Sequence, residues 1–346
     1  MRTTTVLSAG VAVALLACTS ENGPTEPEAS GTMAPADPTV AAAVNIWRER
    51  GPHRFGSVRG VSVGVLANPA GQSVVYGFGG CDVDGGDFGQ CTDDNISIYN
   101  VATDSWTFDD EASMGNVHSS NGVGTIGGKL YSSGGYPFLH AIDGLSNSLS
   151  AYDPAAGRVT WLADMPKYTA EGVTGVINGK LYVLPGICDT SRWPQPAYCE
   201  HEPIRRLYRY DPATNKWGAR RSAPHFHRSA AAGVIGGKFY VVGGFNDFQP
   251  VADLDVYDPA TDTWTTRAPI PKAGRAIGTA LGGKLYVVVG VDAYVYNPGT
   301  NRWSAIADPT RGHDGVVRVV INGKPKLLAV GLGSADDPNN TEVYTP

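Results

Sequence analysis

One eight-residue phrase recurs along the chain: YNVATDSW at 99–106, YDPATNKW at 210–217, YDPATDTW at 257–264 and YNPGTNRW at 296–303, with a stretched version, YDPAAGRVTW, at 152–161. Self-similarity of this kind restricts a chain to repeat architectures, in which one supersecondary unit is built again and again. Before each phrase runs a second motif: GTIGGKLYSSGG, GVINGKLYVLPG, GVIGGKFYVVGG and TALGGKLYVVVG, with a degraded copy, GVLANPAGQSVVYGFGG, near the start and RVVINGKPKLLAVG near the end. Each reads as a short apolar strand, a turn at Asn-Gly or Gly-Gly, and a second strand rich in Val and Tyr. The phrase then adds a strand ending in Tyr, a turn, and an outer strand bearing Trp. Four short antiparallel strands per unit of roughly 50 residues describe a propeller blade. Composition points the same way: 44 Gly, 16 Tyr and 7 Trp against 17% charged residues favour short strands and tight turns over helices.

Trp106, Trp161, Trp217, Trp264 and Trp303 finish five units, while the sixth has strands within 314–331 and near Glu342–Tyr344 and then runs out of chain. The segment VNIWRERGPH, carrying Trp47, supplies the missing outer strand. The expected fold is therefore all-β: a six-bladed propeller over 41–346, four antiparallel strands per blade, closed by the N-terminal strand so that no sheet edge is left open. The order of paired glycines, Tyr and Trp resembles the kelch repeat, so the fold is a kelch-type β-propeller by resemblance. Most repeated residues are then structural. Gly79/Gly80, Gly134/Gly135 and Gly243/Gly244 permit close approach of strands. Tyr152, Tyr210, Tyr257, Tyr296 and the phrase tryptophans fill space between blades.

Ahead of the repeats, Arg2 followed by VLSAGVAVALLAC reads as a signal peptide over 1–17. The LLAC ending resembles a bacterial lipobox, which implies lipidation of Cys18 and an exported domain anchored to the cell envelope, or a secreted one if Cys18 is not lipidated. Residues 18–40, rich in Pro, Glu, Ser and Thr, read as a disordered tether. The other cysteines fall as local pairs, Cys81 with Cys91 and Cys188 with Cys199, expected as disulfides that staple two long loops. A net charge of −6 gives no global attraction to nucleic acid or anionic lipid, so membrane contact is expected only through the N-terminal lipid, and the domain is expected as a monomer.

Function should lie where the repeats disagree, on the face where loops gather at the channel mouth. The Cys188–Cys199 loop brings Trp193 and Tyr198, an aromatic surface suited to sugar rings or partner side chains. The Cys81–Cys91 loop brings Asp82, Asp84 and Asp87, candidate Ca²⁺ ligands or simply a solvated acidic loop. No other cofactor is expected. Aligned on the Lys of GGK or NGK, His118, His227 and His313 share one position, and two places further on stand Ser120, Glu171, Ser229 and Arg275. Such a set could bind a carboxylated or hydroxylated ligand, with Arg275 as carboxylate fork, or could be a water-filled polar lining. The expected function is a cell-surface binding module for a glycan or extracellular protein. The alternative is a carbohydrate-active enzyme: the chain resembles the bacterial exported kelch proteins that interconvert the anomers of sialic acid. Resemblance to copper radical oxidases of the galactose oxidase kind stops at their radical site, since that chemistry needs a cysteine cross-linked to tyrosine.

Overall fold

The computed structural model describes residues 45–51, 58–82, 96–109, 111–112, 114, 120–136, 145–187, 205–246, 248–331 and 341–346. These form six four-stranded antiparallel sheets. Blade 1 runs Ser62–Ala67, Ser73–Phe78, Ile96–Asn100, Ser105–Asp109; blade 2 runs Val123–Ile126, Lys129–Ser133, Leu149–Asp153, Arg158–Trp161. Blade 3 runs Val173–Ile177, Lys180–Leu184, Arg206–Asp211, Lys216–Ser222; blade 4 runs Ala231–Ile235, Lys238–Val242, Leu254–Asp258, Thr263–Arg267. Blade 5 runs Ala276–Leu281, Lys284–Val289, Asp292–Asn297, Arg302–Ala305. Blade 6 joins the two ends of the domain: Gly315–Ile321, Lys324–Val330 and Thr341–Thr345 from the C-terminus, then Ile46–Glu49 as outer strand, with Trp47 opposite Tyr344.

The first strand of each blade touches those of its two neighbours, so the six innermost strands make a closed ring around a channel. Each seam between neighbours holds its own buried apolar cluster, from Val74, Tyr76 and Leu130 between blades 1 and 2 to Val75, Val319 and Leu328 between blades 6 and 1. Close approach near the axis depends on glycine. A Cβ on Gly124 would stand 2.2 Å from Leu181 Cδ1, and one on Gly64 would stand 2.4 Å from Leu130 Cδ2.

The phrase recurs because it is a clamp. Its Tyr is buried, and its sixth residue, Asp104, Asn215, Asp262 or Asn301, has φ between 52° and 55°, the left-handed region that Asn and Asp tolerate best. The side chain of that residue accepts a bond from the Tyr hydroxyl and a second from a backbone N–H of the preceding blade, and the phrase Trp donates its indole N–H to the carbonyl of that same preceding residue. Asn215 and Trp217 thus hold the N–H and C=O of Ala163 at 2.9 and 2.7 Å, and Asn301 and Trp303 hold those of Ala268 at 3.0 and 2.8 Å. Asp262 and Trp264 do the same to Arg221, at 3.1 and 2.8 Å. Blade 6 completes the pattern with residues from the other end of the chain: Asn45, φ 55°, accepts from Tyr344 at 2.9 Å and from Ala307 at 2.8 Å, and Trp47 donates to Ala307 at 2.7 Å.

Blade 2 corrects one expectation. Its phrase is not stretched: the residue opposite Tyr152 is Val159, and the left-handed position is Gly157, φ 55°. With neither a side-chain acceptor nor an indole at the clamp positions, this seam is tied instead by Tyr152 donating to Asp109 at 2.6 Å. Trp161 lies two residues past the clamp and is 57% exposed, so it does not fill a seam.

The two expected disulfides are also corrected: among the described residues no cysteine stands at disulfide distance from another. Cys81 belongs to a short strand, Cys81–Asp82, whose backbone pairs with Val58–Arg59, while Cys91, Cys188 and Cys199 lie outside the described residues. Ten-residue spacing permits a bridge but does not by itself guarantee Cα atoms within the roughly 7 Å that one needs. Cys18, with the expected signal and tether, lies outside the described residues as well.

Candidate functional site

The channel opens into a cavity of 470 Å³ walled by the first strands and by the residues that lead into them. Ser120, Glu171, Ser229, Arg275 and Asp314 supply its polar rim, and Val63, Val123, Thr174 and Val317 its deeper wall. Glu171 and Ser229 turn the chain into blades 3 and 4 with φ of 56° and 53°, unusual for residues of these types. Backbone bonds tie these corners into an arc: Ser229 N–H to Glu171 C=O at 2.7 Å, Ala276 N–H to Ser229 C=O at 3.0 Å.

Two carboxyls face this space in opposite electrostatic settings. Burial pushes the Glu171 carboxyl up, but the bidentate Arg228 guanidinium (2.7 and 3.2 Å), the Ser229 hydroxyl (2.8 Å) and the Tyr136 hydroxyl (3.1 Å) outweigh it and leave it below the usual carboxylate range. At Asp314 burial wins. Its side chain is 1% exposed, and neither the Arg275 guanidinium at 2.7 Å nor the Gly60 N–H at 3.0 Å brings the carboxyl back down to its ordinary value. Arg275, 44% exposed, caps this acid from the mouth.

The sequence-derived candidates divide. Glu171 and Arg275 are on the cavity wall, with Ser120 and Ser229 beside them. His227 and His313 are not: both are buried and face a carboxylate on the third strand of their own blade. His227 Nε2 meets Asp255 at 3.2 Å, and His313 Nε2 meets Glu342 at 2.7 Å, with the His313 ring stacked over Trp47. Burial raises both carboxyls, yet the histidine bonds and those from Thr266 and Thr310 lower them below their ordinary values. These are internal braces. His118, Trp193, Tyr198, Asp84 and Asp87 lie outside the described residues, and Asp82 is placed only by its backbone. Among the described residues no group of three metal-ligating side chains gathers.

Arg228, Asp314 and Tyr136 are site residues that the repeat alignment missed. Arg228 and Asp314 directly follow His227 and His313 in sequence, one place short of the offset at which the blades were compared.

The Kelch motif matches residues 170–217 and 227–271, the stretches that fold into blades 3 and 4. The chain is a kelch-type six-bladed β-propeller. Its curated relatives include Kelch repeat and BTB domain-containing protein 12 of Danio rerio, 30% identical over 158 residues (44% of this chain, 24% of the relative). Kelch-like protein terF of Aspergillus terreus is 26% identical over 43% of this chain and 32% of its own length. This chain spans about a quarter to a third of those relatives, so they speak to its repeats and not to a whole-protein role. The solved structure of YjhT superposes with a TM-score of 0.61 over 85% of this chain and 94% of its own, at 16% identity, a likeness of fold. None of these matches singles out a bacterial lipoprotein.

Proposed function

We propose that the channel mouth takes up an acidic sugar and speeds the interconversion of its anomers, making the protein a carbohydrate-active enzyme of the sialic acid mutarotase kind. The observation that carries this reading is the pair of carboxyls lining one cavity across the channel from each other, Glu171 at the entry to blade 3 held below and Asp314 at the entry to blade 6 held above the usual range. Groups pushed apart in this way suit the two halves of an acid–base exchange. Glu171 takes the proton of the anomeric hydroxyl while Asp314 gives one to the ring oxygen. The ring C–O bond breaks, the carbonyl forms, and the open chain turns before reclosing on the other face with both proton transfers reversed. Arg275, which spends one of its donors on Asp314, offers the rest to a sugar carboxylate. The domain acts as an exported monomer tethered through Cys18, a reading supported by Arg2 and the apolar run that ends in LLAC.

Binding of a glycan or protein without chemistry is the simpler use of the same mouth. One experiment separates the two: NMR of freshly dissolved N-acetylneuraminic acid, following the approach to the anomeric equilibrium with and without protein. Catalysis gives a rate proportional to protein that falls about 100-fold or more in Glu171→Gln. Saturable ligand line broadening at the uncatalysed rate identifies a binder. Neither effect refutes the acidic-sugar reading.

A further inference from the structure

Between its second and third strands, blade 4 carries a small hairpin, Phe245–Asn246 paired with Gln249–Pro250. The hairpin is fastened to the residue that grips Glu171: Phe245 N–H donates to Arg228 C=O at 2.9 Å, and Arg228 N–H returns a bond to Phe245 C=O at 3.2 Å. At its tip stands Phe248, 77% exposed, the most exposed large apolar side chain among the described residues. Its ring lies 5.9 Å from the Arg228 guanidinium, which is itself in bidentate contact with Glu171. The side chains therefore run in a line from cavity wall to open surface: Glu171, Arg228, Phe248. On the other side of Glu171, blade 2 presents a second aromatic ring, that of Tyr136.

A single exposed Phe has no special meaning on a protein surface. Here the ring is placed by a hairpin hydrogen-bonded to the site, and the cation beneath it already has its carboxylate partner. We propose that Phe248 is a stacking shelf for the sugar: the apolar C–H face of a pyranose lies on the Phe248 ring while its anomeric end reaches Glu171. Polarised C–H groups meet the negative face of the aromatic ring, with the Arg228 stack fixing the ring's tilt. The inference rests on the acidic-sugar reading above and assigns the residue that orients the ring.

Titration calorimetry with N-acetylneuraminic acid on the parent, Phe248→Ala and Phe248→Trp tests it, with anomer exchange measured alongside. At 77% exposure the residue can be replaced without loss of the fold. Phe248→Ala raises Kd by about 3- to 10-fold, the worth of one aromatic stack, and raises KM in parallel. Phe248→Trp restores both. A Phe248→Ala Kd within about twofold of the parent overturns the shelf, and if exchange still collapses in Glu171→Gln the mutarotase reading survives without it. A parent that binds the sugar but does not speed exchange, with binding weakened in Phe248→Ala, supports the shelf and removes the chemistry. A parent that neither binds nor exchanges overturns both.

Discussion

Replacing Trp47 by Ala tests whether the N-terminal strand closes the ring through the same clamp as the internal phrases. Trp47 is 6% exposed, packs on Tyr344 with ring centroids 5.1 Å apart, and donates to Ala307 C=O. Truncating a buried Trp costs about 3–5 kcal/mol, and the orphaned carbonyl adds about 1 kcal/mol. At about 2 °C per kcal/mol for a chain of this size, Tm falls by roughly 8–12 °C. Asn45 separates the parts of the clamp. Asn45→Ala loses two accepted bonds and puts alanine, which tolerates the left-handed region less well than asparagine, at φ 55°, about 3 kcal/mol in all. Asn45→Gly keeps the backbone at ease and loses about 2 kcal/mol, and Asn45→Asp keeps both acceptors and most of the stability. The double variant Asn45→Gly/Trp47→Ala is less than additive, because both side chains hold Ala307. Trp161→Ala is the control, within about 0.5 kcal/mol of the parent. Urea unfolding followed by far-UV circular dichroism reads all of these. A Trp47→Ala variant no weaker than Trp161→Ala would refute the clamp.

Two further outcomes are expected. Arg275→Ala strands Asp314 at 1% exposure and costs about 2 kcal/mol at pH 7, discounted because Arg275 is 44% exposed. The folded Asp314 carboxyl already sits above its unfolded value, so the penalty grows as pH rises through that raised window and fades on acidification; urea midpoints at several pH values check it, and a pH-independent loss contradicts it. Gly124→Ala drives a Cβ to 2.2 Å from Leu181 Cδ1 and costs about 1–3 kcal/mol by overpacking the seam between blades 2 and 3, whereas a change below about 0.5 kcal/mol would mean that Leu181 has room to swing away.

Fold class, blade number and ring closure were legible because Tyr, turn and Trp recur at fixed spacing and each spacing maps onto one hairpin. The purpose of the repeated Asn or Asp was not, since it bonds to a residue of the preceding blade about 50 positions away and shows nothing locally. Trp161 misled because strand side chains alternate: two residues beyond Val159 a side chain is on the same face but past the clamp. The histidines misled for a related reason. Their shared alignment position marks a common fold position, and their partners Asp255 and Glu342, each two residues before the phrase Tyr, reveal internal pairs once both are compared. Glu171 and Arg275 were legible as irregularities in a regular series. Arg228 and Phe248 were not, because their roles arise where one blade's corner meets a neighbouring blade's carboxylate and its own hairpin.

The pairing of Ile46–Glu49 with Thr341–Thr345 also sets an order of events. Tyr344 and Asn45 are 299 positions apart, and drawing two points that distant together in a loose chain costs about 5 kcal/mol, more than one four-residue ladder returns. The strand made first therefore waits, unpaired, until the neighbouring blades have shortened the effective path between the ends. Closure comes late in folding, and its reversal comes early in unfolding. The amides of residues 46–49 should exchange with solvent ahead of those in the inner strands of blades 3 to 5, so that the ring has a latch as well as a wall.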